Sequence, residues 1–304
     1  MSALRDAVRR LVCLGGMVGM LSGIAWQQSG ALMPMPRPYD GVVADGLYVN
    51  KYFNLAYPLP PGWTQGLEGP PPSETGYYVL GTLVPAGELS GTILIAAQDT
   101  FFADKVLGDA AAMAEDLARA MSAIEGMTVE RPISGVKIAG HSFTRIDVSG
   151  FGLYRSTLVT EIRCHLVGFN LVARSTAELA RLVDSLGNLA EPPDRGAAAP
   201  DPVCLENRAA PENVVTKVDP APIPPTFVPI PVRIIIGTDG GVRDVHVIRA
   251  TAQQRSSIET ALGQWKFKPP ELHGRPAEIE TGLVIRFTPE GRVKYSAGEG
   301  TREF

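Results

Sequence analysis

The sequence has few of the residues on which metal sites and disulfide scaffolds depend. Its 304 residues include three cysteines and four histidines. A metal site needs converging ligands, and no two of the histidines show metal-type spacing. They lie on four separate segments, at His141, His165, His246 and His273. We therefore expect surface or strand histidines, with no metal and no cofactor.

Signatures of common catalytic sites are also missing. There is no Gly-x-Ser-x-Gly elbow, and the glycine-rich turn Gly237–Gly241 joins two predicted strands and lacks the lysine and helix of a phosphate loop. The acidic pairs Glu115-Asp116 and Glu278/Glu280 fall on faces that we predict to be solvated. These patterns favour a non-enzymatic protein. An enzyme would need a pocket with convergent titratable groups in the middle of the chain.

An excess of positive charge is absent as well. The net charge is −4, and removal of residues 1–31, with three arginines and one aspartate, would leave −6. Such a chain has no electrostatic attraction for nucleic acid or anionic lipid. A nucleic-acid partner is therefore not expected.

No apolar run reaches the roughly 20 residues that cross a bilayer comfortably. The run Leu11–Trp26 follows three arginines, and its only polar side chain is Ser22. Because Ser29–Ala31 supplies small residues for a signal peptidase, we predict a signal peptide over residues 1–31 and export to the periplasm. A cut after Ala25 is an alternative. So is an uncleaved anchor, which would leave the protein in the inner membrane, facing the periplasm.

Loss of a signal peptide would remove Cys13 and leave Cys164 and Cys204 in a compartment that permits disulfides. Cys164 belongs to a strand-like run and Cys204 to a proline-rich connector. A disulfide between them would tie the connector to the preceding domain. Two unpaired thiols are the alternative.

Shifts in composition divide the mature chain. Residues 32–45 read as a loop, residues 46–190 as an α+β domain, residues 231–295 as a small second domain and residues 296–304 as a tail. The segment 191–230 reads as a semi-stiff linker, because eleven prolines occur between Glu191 and Pro231. Fully extended, it would reach on the order of 100 Å.

The middle domain combines alternating apolar runs with two amphipathic segments. The amphipathic segments predict helices over residues 106–124 and Thr176–Leu186. Because strands follow one another between helices, we expect an antiparallel sheet with covering helices. The predicted strands are Tyr77–Val84, Thr92–Ala97, Ser142–Val148, Ser156–Cys164 and Leu166–Arg174.

The last domain is predicted as a hairpin, a helix and a strand. Val232–Ile236 and Val242–Arg249 form the hairpin, and Ser256 with Glu259 predicts a capping box that opens the helix. Trp265 and Phe267 are expected to fill the core, not to stack on a ligand. In the final strand the inward residues are Ile279, Thr281, Leu283, Ile285 and Phe287, and Glu278, Glu280 and Arg286 point outward.

These residues resemble the TonB C-terminal domain family over about 60 positions. The segments that carry the resemblance are Val232–Val242, Asp244–Val247, Ala261–Pro269, Gly274–Pro276 and Val284–Phe287. The resemblance implies a small β-β-α-β domain whose sheet edge pairs with a strand of a partner protein. The residues implied for that edge are Glu278, Glu280, Gly282, Val284 and Arg286, and envelope proteins are the implied partners.

The chain departs from energy-transducing members of that family. Its N-terminal apolar run has no histidine, a domain of about 145 residues precedes the linker, and Arg292–Tyr295 can fold back as a fourth strand over the edge.

The middle domain resembles small exported PsbP-like domains. The residues that carry this resemblance lie near its start, at Tyr52–Asn54 and Tyr57–Trp63. We therefore expect a periplasmic, non-enzymatic interaction protein. A membrane-anchored TonB-like energy transducer is the alternative.

Overall fold

Antiparallel strand pairing dominates the architecture. The computed structural model describes residues 35–87, 90–103, 108–192, 202–221 and 228–297, all within one compact unit. The predicted α+β class is confirmed, with 17% helix and 46% strand. Cys13 and the run Leu11–Trp26 lie outside these ranges. Within them, no helix is both long and apolar enough to cross a membrane.

A small sheet opens the described chain. It contains β1 (Val42–Ala44), β2 (Leu47–Asn50) and β3 (Leu55–Pro58), paired in that order. The predicted loop over residues 32–45 therefore already contains a strand. Tyr48 and Tyr57 from this sheet are buried in the hydrophobic core formed chiefly by residues 48–189, which we call the main core.

Seven strands of the middle region, residues 35–192, form the largest sheet, in the order β4-β5-β6-β10-β9-β8-β7. All its pairings are antiparallel, as predicted. Its strands are β4 (Trp63–Gln65), β5 (Tyr77–Pro85), β6 (Gly91–Asp99), β7 (Met127–Ile138), β8 (His141–Gly150), β9 (Leu153–Ile162) and β10 (His165–Ala173).

The longest of these strands, β7, was not predicted. Pro132 and Gly135 interrupt its sequence, and both residue types weaken a strand signal. The strand lies at the edge of the sheet, and its pairing with β8 shifts register on both sides of Arg131. Neighbouring strands, not the local sequence, impose its extended conformation.

Two helices cover opposite faces of this sheet. Helix α1 (Ala110–Ser122) is capped by Asp109, and α2 (Thr176–Ser185) by Ser175. Leu179 and Leu182 of α2 enter the main core, while Ala110 of α1 packs on a separate small cluster. The bounds of α2, Thr176–Ser185, agree with the predicted helix Thr176–Leu186 to within one residue. A short 3-10 helix, Leu186–Asn188, follows it.

The C-terminal region, residues 202–297, forms a second sheet in the order β11-β18-β13-β14, with β19 also paired to β18. Its elements are β11 (Val203–Cys204), a 3-10 helix (Pro211–Asn213), β12 (Val214–Thr216), β13 (Ile230–Ile236), β14 (Val242–Val247), α3 (Ala252–Leu262), β15 (Lys266–Phe267), β16 (Glu271–Leu272), β17 (Arg275–Pro276), β18 (Ile279–Phe287) and β19 (Val293–Ser296). Strand β12 pairs with β15, and β16 with β17.

The predicted hairpin, helix and strand occur in the expected order, and β19 confirms the fold-back predicted for Arg292–Tyr295. The predicted start of the helix is wrong. Thr251 is the N-cap, and Gln254 completes the capping box. Ser256 lies inside the helix, because the earlier Thr251 and Gln254 already satisfy its first amides.

The proline-rich segment is not an extended spacer in its described part. The amide of Val203 donates to the carbonyl of Glu278 at 2.8 Å, and the amide of Leu205 donates to Glu280 at 3.0 Å. These bonds place β11 parallel to β18. The edge of β18 thus satisfies backbone groups of residues 203–205, and β12 pairs separately with β15.

Trp265 lies at the centre of the C-terminal core, which confirms its predicted role. Its side chain is fully buried, and its indole nitrogen donates to the carbonyl of Val218 at 2.8 Å. Its ring centroid lies 5.0 Å from that of Tyr295 and 5.9 Å from that of Phe267. Residues on both sides of the helix therefore converge on one aromatic group.

Candidate functional site at the contact between the two sheets

Strand β18 is an interior strand, so the prediction that it forms an exposed binding edge is wrong. It pairs with β13 on one side and with β11 and β19 on the other. Its supposedly outward face lies largely against the middle region. Of the five implied edge residues, Glu280 and Gly282 are buried, Glu278 and Val284 are half-buried, and Arg286 is exposed.

At Gly282 the backbone of β18 lies close against the middle region. A Cβ atom built on this residue would lie 2.7 Å from the Cβ of Phe101 and 3.1 Å from the ring of Phe102. Only a residue without a side chain fits such a contact. Val284, two positions later, packs against the core of the middle region. The polar alternation of β18 therefore marks an internal contact and not a solvated face.

Arg233 of β13 links the carboxylates of the two regions. Its Nη1 donates to Oδ2 of Asp99 at 2.6 Å, and its Nε donates to Oε1 of Glu280 at 3.0 Å. Asp99 and Glu280 expose 0% and 2% of their surface, and Arg233 exposes 2%. Because buried charges require partners, each of these groups depends on the others.

Arg163 and Tyr52 complete the coordination of Glu280. The Nη2 of Arg163 donates to Oε2 of Glu280 at 3.1 Å, and the Tyr52 hydroxyl donates to Oε1 at 3.0 Å. The Arg163 guanidinium also lies 4.0 Å above the Tyr52 ring, a cation–π contact. Glu280 of the C-terminal region is thus held by Tyr52 and Arg163 of the middle region. We call Tyr52, Asp99, Arg163, Arg233 and Glu280 the contact cluster.

His165 borders the contact cluster, and both it and His246 lie on strands, one of the two placements expected from the sequence, with buried side chains. His165 on β10 places its Nε2 3.5 Å from Asp99, and its Nδ1 lies 2.6 Å from the carbonyl of Arg163. His246 on β14 exposes 3% of its surface. Within the described ranges, no group of three or more histidine, cysteine or acidic residues forms a metal site.

Burial and charge shift the pKa values of these groups. Burial and the nearby Arg233 hold the pKa of His165 well below its ordinary value, and burial with Arg37 does the same for His246. Burial raises the pKa of Asp99, although Arg233 opposes the rise. Burial acts in the same direction on Glu280, but Arg233 and Arg163 outweigh it and lower its pKa.

The contact cluster is arranged to hold charges in place. Glu280 accepts hydrogen bonds from three side chains, and Asp99 accepts one from Arg233 and one from the amide of Phe101 at 2.9 Å. A general base needs a free lone pair within reach of a substrate proton. These carboxylates direct theirs to neighbouring protein groups, and each has at least one partner in the other region, Arg233 for Asp99 and Tyr52 and Arg163 for Glu280, so the arrangement joins the two regions.

Cys164 and Cys204 form a disulfide beside the contact cluster, which is one of the two alternatives that the sequence left open. Their Cα atoms lie 5.9 Å apart. Cys164 lies in the turn between β9 and β10, with φ at 55° after Arg163 at 49°. Two successive left-handed residues suit a two-residue hairpin turn. The disulfide fixes β11 to this turn.

The outer edge of β14 is also occupied. Arg37 pairs with Asp244 at 2.5 Å and donates to the carbonyl of Val245 at 3.3 Å. Arg255 donates to the carbonyl of Val247 at 2.6 Å. Charged side chains thus occupy acceptors that a partner strand would use.

No signal in the sequence identified Arg233 or Asp99. Arg233 interrupts the β-branched run of β13, and Asp99 ends the apolar run of β6. A charged residue inside an apolar run is also compatible with a solvated face, so the local sequence at these positions did not predict a buried ion pair. Their separation of 134 residues explains why local patterns could not connect them.

No family model matches this chain, and no curated protein matches it. Among solved structures, the cyanobacterial PsbP of Synechocystis sp. PCC 6803 is similar at 15% identity and a TM-score of 0.37, over 50% of this chain and 95% of that one. A Pseudomonas aeruginosa protein of unknown function is similar at 16% identity and a TM-score of 0.29, over 50% and 96%. Likenesses of this size define neither fold nor function here.

Proposed function

We propose that this is an exported bacterial envelope protein that acts as a non-enzymatic protein-interaction module in the periplasm. The observation that carries the proposal is the contact cluster. Its buried charged groups hold the two sheets together. Partner proteins would therefore be bound by the exposed surfaces of the protein. The disulfide between Cys164 and Cys204 supports export, because such bonds persist in oxidising compartments.

The C-terminal region is proposed to be a second domain of the TonB C-terminal type. The order hairpin, helix and final strand supports this, with β13, β14, α3 and β18 in the expected sequence. In this chain the strand-pairing surface implied by the resemblance is directed inward, to the middle region. We therefore propose that envelope proteins are bound by exposed surfaces, without strand addition to β18.

The alternative, a membrane-anchored energy transducer, is less well supported. Transduction by strand addition needs an open sheet edge. Here β11 and β19 pair with β18, and Arg37 and Arg255 occupy carbonyls of β14. A receptor segment would first have to displace part of this fold.

The test combines localisation with site-specific crosslinking in cells. The full chain is expressed with a photoreactive amino acid at one exposed apolar position at a time, Phe151 and Val215, which expose 71% and 64% of their surface, and Leu67 at 87%. We expect osmotic release of a chain starting near residue 32, with a discrete crosslinked envelope protein from at least one position. The unsubstituted chain, irradiated in the same way, is the negative control.

Two outcomes would overturn the proposal. One is an intact Met1 in the membrane fraction together with siderophore uptake by a TonB chimera that carries residues 205–304, which would establish the transducer. The other is the absence of discrete crosslinks at all three positions in cells where a known periplasmic complex crosslinks normally.

A further inference from the structure

A pocket of about 430 Å³ lies between helix α1 and the large sheet, on the face away from the contact cluster. This volume falls in the range of about 300–1,000 Å³ typical of small-molecule sites. The described residues that matter for its chemistry are Ala96, Met113, Leu117, Thr157, Gly168 and Asn170.

The pocket exists because α1 covers only part of its face. The helix packs on β7, β8 and β9, whereas α2 is buried in the core on the opposite face. The face formed by β6 and β10 beside α1 therefore has no helix above it among the described residues. Side chains alternate along a strand, so Ala96 of β6 and Gly168 of β10 point to this face.

Two adjacent floor positions of the pocket, Gly168 and Ala96, are small residues. Gly168 is buried, and a Cβ atom placed on it would have its nearest contacts at 3.7 Å, the Nδ2 of Asn170, and 4.0 Å, the carbonyl of Leu158. The backbone at Gly168 thus has room for a side chain that the sequence does not supply. Ala96, on the neighbouring strand, continues the low floor.

The wall from α1 is apolar and adaptable. Its fully buried residues are the small Ala110 and Ala114, whereas the larger Met113 and Leu117 are only half-buried at the pocket. Methionine side chains adapt to irregular apolar ligands because they are unbranched and polarizable. A ligand in the pocket would complete the burial of Met113 and Leu117.

One polar group is oriented in the pocket. The Oδ1 of Asn170 accepts a hydrogen bond from the hydroxyl of Thr157 at 3.0 Å, which fixes the amide. Its Nδ2 lies over Gly168 with no acceptor among the described residues. An amide nitrogen is a donor. It would therefore recognise a carbonyl oxygen on a ligand lying across Gly168.

Charge restricts the ligand further. Among the described residues that line the pocket, Asp116 is the one with a charged side chain, and its carboxylate accepts from Arg119 at 2.9 Å. Within the described part of the chain, no lysine or arginine lines the pocket to neutralise an anionic head group. A ligand carboxylate would lie near the carboxylate of Asp116, whereas a neutral ester or amide carbonyl would add no second negative charge there.

We propose that this pocket binds a neutral acyl chain with an ester or amide carbonyl, as in a monoacylglycerol. The chain lies between α1 and the floor at Ala96 and Gly168, and the carbonyl accepts from Asn170. This ligand site is separate from the protein-partner role proposed above, and either can fail without the other.

The test measures binding of dodecanoyl glycerol, dodecanoate and dodecane to the full purified chain by isothermal titration calorimetry. We expect dodecanoyl glycerol to bind most tightly. Gly168→Leu fills the floor and should weaken its binding at least about tenfold, since an occupied pocket excludes the chain. Gly135→Leu is the matched control, because Gly135 is an exposed glycine of β7 with open space around it.

Two further variants keep the result interpretable. Ala120→Trp fills the pocket from an exposed position of α1, so that it tests occupancy even if Gly168→Leu does not fold. Asn170→Leu should reduce the affinity for dodecanoyl glycerol by a factor of roughly 2–10, the range for one hydrogen bond, and leave that for dodecane unchanged.

The proposal is overturned if dodecanoyl glycerol does not bind, or if folded Gly168→Leu and Ala120→Trp bind it as well as the unsubstituted chain. Tighter binding of dodecanoate than of its glycerol ester would also overturn the neutral head group. Equal loss in Gly135→Leu would show that the effect is not at the pocket.

Discussion

The guanidinium of Arg233 and the carboxylate of Asp99 form a 2.6 Å ion pair across the contact between the two sheets, with both side chains buried. Such a pair contributes little net stability relative to apolar residues of the same shape, but loss of one partner leaves an uncompensated charge. Its main consequence here is that the two regions are fixed in one relative position.

Replacement of Arg233 should be strongly destabilising. Arg233→Met removes the counter-charge of Asp99 and should lower the free energy of unfolding by about 3–5 kcal/mol, measured by urea denaturation. Arg243→Met is the matched control. Arg243 is about half exposed and pairs with Asp239 at 3.1 Å, and a surface pair contributes about 1 kcal/mol or less. Equal effects of the two substitutions would contradict the buried role of Arg233.

A side chain at Gly282 should force the two sheets apart. Gly282→Val places a Cβ atom against Phe101 and should cost about 1–3 kcal/mol, as overpacking does. Phe101→Ala in the same chain should recover part of the loss, because it removes the opposing atoms. Thermal unfolding of the single and double variants tests this. A double variant that is less stable by the sum of both single effects would argue against the contact.

Reduction of the disulfide should destabilise the protein. Cys164 and Cys204 are separated by 40 residues, and crosslinks of this kind stabilise by about 2–4 kcal/mol. We expect a lower melting temperature in dithiothreitol, and the same value for the Cys164→Ser/Cys204→Ser double variant without reductant. If reductant leaves the melting temperature unchanged while free thiols are detected, the disulfide does not stabilise the contact.

Stability should fall as the pH drops below the ordinary histidine pKa of 6.5, because the pKa values of His165 and His246 are lowered in the folded state. The unfolded chain then binds protons that the folded chain does not. The free energy of unfolding should change by up to about 1.4 kcal/mol per pH unit for each histidine. Above the ordinary histidine pKa of 6.5, the full contribution of both histidines to stability is present.

Denaturant titrations between about pH 7.5 and pH 5.5 measure this slope, and His246→Phe should reduce it by about half. The groups that act on His165 are Arg163, Asp99 and Arg233, and those acting on His246 include Arg37 and Arg255. Because the raised pKa of Asp99 acts in the opposite direction, the comparison is made between the variant and its parent. An identical slope in both would exclude His246 as a contributor.

Truncation of Trp265 should disrupt the C-terminal core. Trp265→Ala removes a fully buried ring and a hydrogen bond to Val218, and should cost about 3–5 kcal/mol. Trp63→Ala is the matched control, since Trp63 is half-buried on the short strand β4. Chemical denaturation of the full chain compares the two. A smaller loss at Trp265 than at Trp63 would contradict its central position.

Local patterns were sufficient where one element determines its own conformation. Alternation predicted β5, β6, β8, β9 and β10 to within a few residues, and helical periodicity predicted α2. The same reasoning identified Trp265 and Phe267 as core residues. It missed β7, because Pro132 and Gly135 obscure an edge strand whose conformation depends on β8. It also misplaced the start of α3, because two capping patterns lie close together in the sequence.

The sequence by itself determined which residues of β18 alternate, but not what lies against each face. Glu280 and Gly282 read as a solvated edge, since a polar residue is equally compatible with water or with a buried counter-charge. Only the tertiary structure decides between them. It brings Arg233 and Arg163 to Glu280 and Phe101 to Gly282. These partners come from distant parts of the chain, so their charges and shapes meet only when both sheets have formed.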